Sequence, residues 1–137
     1  MRSICRKLTL VFSAGCLGGL TNSLVVFLFG VWGITSMFGV NIMPSLTSQW
    51  LYGRLVWGGI WGILFFIPLL KRYPAMRGLV LSLGPTIVQL FIIFPFKVNK
   101  GLFGFDLGVL TPLFVIFFNA VWGITAAYWL RFVGEGE

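Results

Sequence analysis

Asn22, Thr86, Gln89, Asn119 and Arg54 interrupt otherwise apolar stretches of the chain, and any chemistry would sit on them. Three are amides, which donate and accept hydrogen bonds but do not titrate near neutral pH. Arginine keeps its charge in all ordinary conditions and is built to hold anions. Together these groups suit recognition of a small polar or anionic group, and none of them suits proton transfer. An arginine inside a membrane span needs a partner or a route to water. Asp106, the acidic residue outside the C-terminal tail, is the expected partner of Arg54 in an outer-side ion pair. Snorkelling of Arg54 to the headgroups is the competing reading. Binding of an anionic substrate or a lipid phosphate is a third.

The chain has no histidine. Histidine-ligated haem, histidine-bound zinc or copper and histidine proton relays are therefore excluded. It has no Ser-His-Asp or Cys-His set, no paired carboxylates and no cluster of metal-ligand types. We therefore expect no enzymatic activity, no cofactor and no metal. No acidic residue lies within an apolar stretch, which argues against proton- or sodium-coupled exchange.

The elements that must position these groups are membrane helices. Hydrophobic residues make up 58% of the chain and charged residues 9%, against about a quarter charged in soluble domains. Apolar runs cover about 8–31, 51–70, 78–96 and 109–130 of a single domain, 1–137. A bilayer core needs about 20 helical residues per crossing, and helices satisfy their own backbone in lipid. The expected fold is all-α: a bundle of four transmembrane helices, with helix three kinked at Pro85, where the ring removes a backbone hydrogen bond. At 1.5 Å per residue, Gln89 lies roughly 16 Å and Asn119 roughly 15 Å from the start of their helices. That is near the midplane, with Asn22 somewhat further out. The three amides and Thr86 are thus a candidate polar site in the bundle interior. The plainer alternative is interhelical hydrogen bonding, worth about 0.6 kcal/mol per pair.

Small residues recur every four positions, so each set forms one stripe along a helix. The stripes are Gly15-Gly19-Ser23, Gly58-Gly62 in line with Arg54, Gly78-Ser82-Thr86, and Asn119-Gly123-Ala127. Such stripes let membrane helices approach closely, within one bundle or in a homo-oligomer. An aromatic column, Trp57-Trp61-Phe65, suits packing or lipid contact. The string Val-Trp-Gly-Ile-Thr occurs at 31–35 and again at 121–125 and reads as chance reuse of a packing unit.

Arg2, Arg6, Lys7, Lys71, Arg72, Arg77 and Arg131 fall on one side of this topology, and Arg54, Lys97 and Lys100 on the other. The positive-inside rule then places both termini in the cytoplasm, in a bacterial cytoplasmic (inner) membrane. The net charge of +7 reads as contact with anionic lipids at the cytoplasmic face. Nucleic-acid binding is not expected, because the charges are split among short loops. Cys16 follows Ser13-Ala14-Gly15 and resembles a lipoprotein cleavage site, but the chain stays apolar well beyond it, so a plain first membrane helix is favoured over lipidation. Two functions remain. The first is a non-enzymatic structural or accessory subunit, packed in a homo-oligomer or a larger membrane complex. The second is a small transporter or channel for a neutral or anionic solute or lipid headgroup.

Overall fold

The computed structural model describes residues 2–134, and everything regular in them is helical. Helix α1 spans Arg2–Val31 and is followed by a single turn, α2 (Ile34–Met37). Helix α3 runs Ser48–Trp61 and continues as a 3-10 turn, Gly62–Phe66. Helices α4 (Pro74–Leu81) and α5 (Leu83–Val88) lead into a π-helical segment, Gln89–Lys97. After a short 3-10 stretch at Leu102–Leu107 comes the last helix among the described residues, α6, Thr111–Phe132.

Three of these segments are long and apolar enough to cross a membrane: Arg2–Val31, Pro74–Lys97 and Thr111–Phe132. The second apolar run does not form the uniform helix expected over 51–70. Thr47 caps α3 by accepting a hydrogen bond from the Trp50 amide at 3.1 Å, so the helix begins early. It ends early as well. Gly58, Gly59 and Gly62 weaken the α-helix, and Pro68 bars its continuation. In the third segment Pro85 has no N–H to donate to the carbonyl four residues back, and regular α-helix breaks at Ser82 between α4 and α5. Pro95 sits inside the π-helical part. A proline ring clashes with the carbonyl four residues back, and widening the helix relieves that clash.

Packing follows the small-residue stripes. Helix α1 lies against α3 and α6, and α6 lies against α4. The order across the bundle is therefore α3, α1, α6, α4, with α3 and α4 as the outer members. A Cβ added at Gly15 would lie 2.2 Å from the Gly58 carbonyl oxygen, and one at Gly62 would lie 2.2 Å from that of Val11. At the other seam, a Cβ at Gly123 would lie 2.2 Å from the Gly78 oxygen. Backbones thus touch directly at both seams, and only glycine fits. Between them, Trp122 is 4% exposed. Its indole N–H is shared by the carbonyls of Gly15 (3.2 Å) and Gly58 (3.3 Å), so one side chain ties α6 to α1 and α3. Phe65, Leu130, Ala126 and Val11 complete this core.

The basic connections gather at one end. Arg131 donates to the Arg72 carbonyl at 3.1 Å, and the Lys7 ammonium lies 5.2 Å from the Phe66 ring centre. At the other end the two long loops interlock. The Asn41 amide donates to the Leu107 carbonyl at 2.8 Å, and Gly108 sits so close to Gly39 that a Cβ would lie 2.3 Å from its carbonyl oxygen.

Replacing Gly15 or Gly123 by alanine should destabilise the protein by about 1–3 kcal/mol, the usual range for overpacking. Gly53→Ala, at a position with no neighbour within 4 Å, should leave stability unchanged or slightly raised. Unfolding by increasing SDS in mixed micelles measures all three. Equal effects at the three positions would contradict the seams.

Candidate functional site

Each seam ends in a hydrogen bond between polar side chains that extend its stripe. On α1 and α3 the stripe continues from Gly15 and Gly19 to Ser23, and from Gly62 and Gly58 to Arg54. Arg54 Nε donates to Ser23 Oγ at 2.9 Å. On α5 and α6 the stripe continues to Thr86 and Asn119, and Asn119 Nδ2 donates to Thr86 Oγ1 at 3.0 Å. The same Nδ2 reaches Gln89 Oε1 at 3.3 Å. Asn22, 6% exposed, sits between the two groups. Its Oδ1 accepts from Arg54 Nη2, and its Nδ2 donates to the Phe118 carbonyl. Phe118 and Asn119 are neighbours on α6, so that helix carries one end of each network.

The candidate residues Asn22, Thr86, Gln89 and Asn119 therefore fall into two hydrogen-bonded groups side by side. Asn22 belongs with Arg54, and Asn119 belongs with Thr86 and Gln89. The expected Arg54–Asp106 pair is corrected by the structure: no ion pair joins them. Arg54 is turned to α1, and its guanidinium also lies 4.9 Å from the Trp50 ring centre. Asp106 is exposed in the Leu102–Leu107 turn, with its carboxylate beside Gly101. The physical reason is reach. The glycine seam brings α1 so close to α3 that Asn22 and Ser23 meet the guanidinium first. Ser23 is 0% exposed.

Arg54, Asn22, Gln89 and Asn119 line one cavity of about 540 Å³ between α3 and the α5–π segment, floored by α1 and α6. Its walls pack on different inner helices, α3 on α1 and α5 on α6. They come together at the basic end, where a Cβ on Gly84 would lie 2.8 Å from Leu64. The apolar walls are Trp57, Trp61, Val88 and Ile93. Trp57, Gly53 and Lys97, all lining residues, are exposed, so the cavity opens to the surface along α3. A second cavity of about 360 Å³ shares Asn22, Trp50, Arg54, Gln89 and Asn119 and runs under Asn41–Pro44 and Leu107. The polar cluster is thus common to a side groove and a chamber beneath the loops. No group of three or more metal-ligating side chains occurs among the described residues.

Sequence reasoning missed Ser23, Lys97 and Trp122. Ser23 was visible as the last member of its stripe. Trp122 was visible only as the residue before Gly123. Lys97 reads as a loop charge if an α-helix stops at Phe96, and the π-helical segment instead runs through to it. The aromatic column divides: Trp57 and Trp61 face the cavity, while Phe65 is fully buried. Compared with protein-family models, with curated proteins and with solved structures, the chain matches none.

A double-mutant cycle between Arg54→Ala and Asn22→Ala should give a coupling of about 0.6–1.7 kcal/mol, from the average to the largest value known for interhelical hydrogen bonds in membranes. The cycle between Arg54→Ala and Asp106→Asn should give none. Both are read from SDS unfolding in mixed micelles, and the reverse pattern would restore the outer-side ion pair.

Proposed function

We propose that this protein is a small, non-enzymatic membrane protein that binds a polar or anionic group in the groove between α3 and the α5–π segment and moves it between the bilayer and the loop-covered face. The observation that carries this reading is the cavity itself. A polar cluster that lines two neighbouring cavities is poor design for a purely structural bundle, where a void removes packing contacts. A cavity of 300–1,000 Å³ with mostly apolar walls and a few placed polar groups is the usual form of a ligand site.

In this reading the chain crosses a bacterial inner membrane four times with both termini in the cytoplasm. The seven basic residues at one end, against three at the other, support that orientation. Helix α3 and its 3-10 extension make the second crossing. Fourteen α-helical and five 3-10 residues reach about 30 Å, the thickness of a hydrocarbon core. The third crossing bends near Pro85, in keeping with the break between α4 and α5 at Ser82. Basic residues at the cytoplasmic end lie against anionic lipids. An accessory-subunit role loses its main support, because the small-residue stripes are used up inside the chain.

The test is water access at the amides. In a Cys5→Ser, Cys16→Ser background, Gln89→Cys should react with a charged, membrane-impermeant thiol reagent in membrane vesicles. Ala120→Cys, buried one residue beyond Asn119, should not. If neither reacts, the bundle is dry and the binding role fails.

A further inference from the structure

We propose that the ligand of this groove is an anionic amphiphile, a lipid-like molecule whose phosphate or carboxylate head sits on Arg54 and Lys97 while its apolar chain leaves through the open side along Trp57. The inference rests on the binding role above and names the class of ligand.

The charge balance points to an anion. Arg54 touches only neutral partners: Asn22 Oδ1, Ser23 Oγ and the face of Trp50. Asp106 is the only acidic residue among the described residues, and it is not paired with Arg54. Lys97 brings a second positive charge to the same cavity. Two cations facing an apolar groove with no carboxylate are stabilised by whatever anion enters, and arginine matches phosphate and carboxylate oxygens with paired donors.

Donor supply agrees. Arg54 Nη1 and Gln89 Nε2 donate to no group among the described residues, although the remaining nitrogens of Arg54 and the Gln89 oxygen are engaged. Both side chains line the cavity. A bound oxyanion would occupy these donors without displacing any bond the protein makes to itself.

Size and lining exclude a bare ion as the natural occupant. A space of about 540 Å³ is of the class that holds drug-sized molecules, and most of its lining surface is apolar, with Trp57, Trp61, Val88 and Ile93 among the walls. The opening lies beside Trp57, about the middle of α3, and not only at the end of the bundle. A molecule entering there comes from the acyl region. A zwitterionic lipid fits less well, because its own cation would be set against Lys97.

Native mass spectrometry of the detergent-solubilised protein decides the matter, with phosphatidic acid, phosphatidylcholine of the same chains, and inorganic phosphate as probes. A one-to-one phosphatidic acid adduct should form at about tenfold lower concentration than the phosphatidylcholine adduct, the difference expected from one well-made charge-assisted contact. Arg54→Gln should abolish the preference, Lys97→Gln should reduce it severalfold, and Arg54→Lys and Arg131→Gln should keep most of it. Should Arg54→Gln fail to fold, as judged by gel filtration, the Lys97→Gln result carries the test. Equal retention of the two lipids, or an undiminished preference in Lys97→Gln, would overturn the proposal. Displacement of phosphatidic acid by millimolar inorganic phosphate would also overturn it, by making the ligand a soluble oxyanion. If Gln89→Cys labels while the lipids are held equally, this inference falls alone. If Gln89→Cys stays unreactive, the binding role falls with it.

Discussion

Because Gly15 and Gly58 carry no side chains, α1 and α3 meet backbone to backbone, and Gly78 with Gly123 does the same for α4 and α6. In lipid there is no hydrophobic gain from bringing helices together, so close packing and hydrogen bonds must hold them. The two seams supply the packing. They also expose the Gly15 and Gly58 carbonyls, and the Trp122 indole bridges both. Everything nearer the loop end is set by this contact. It fixes how far Arg54 stands from Ser23 and how far Asn119 stands from Thr86. It also leaves the outer walls, α3 and the α5–π segment, packed on different neighbours with a space between them.

Arg54 is the expensive member of the arrangement. With α3 as the proposed second crossing, the relevant cost is that of an arginine in a membrane helix, about 2.5–3.5 kcal/mol at the centre on insertion scales. Two side-chain hydrogen bonds to α1 and the Trp50 face offset part of that cost without cancelling the charge. A purely structural role would be better served by a neutral residue, since replacing buried ion pairs and charges by well-packed apolar groups is often stabilising. Retaining a charge that only neutral groups touch makes sense when something negative is to be held. The π-helical segment serves the same site. Widening at Pro95 carries the helix through to Lys97, so that this residue lines the same cavity as Arg54 from the opposite wall.

Much of this was legible in the residues. The stripes of small residues at intervals of four gave the packing faces, and extending each stripe by one step reaches Ser23, Arg54, Thr86 and Asn119. The all-helical class followed from the scarcity of charge. Other features were not legible, for physical reasons. The end of α3 depends on three glycines and Pro68 acting together, which hydropathy does not register. Scarcity of carboxylates points Arg54 to Asp106, whereas in the fold the closest helix supplies neutral acceptors first. The repeated Val-Trp-Gly-Ile-Thr string shows how far context decides. At 31–35 it ends α1 in a left-handed Gly33 (φ 76°) with Trp32 66% exposed. At 121–125 it forms the buried centre, with Trp122 in the core and Gly123 on the seam.

The environment of the Arg54 guanidinium in a bilayer tests the account most directly. Protein carrying 15N-labelled arginine, with 13C at the side-chain carbonyls of asparagine in one sample and of aspartate in another, would be studied by solid-state NMR dipolar recoupling in liposomes. The account predicts a guanidinium-to-asparagine contact at hydrogen-bonding range that disappears in Arg54→Lys, and no contact from that guanidinium to aspartate. A contact to aspartate that disappears in Arg54→Lys, with none to asparagine, would mean that Arg54 is neutralised by Asp106 and that the groove holds no charge for a ligand to meet.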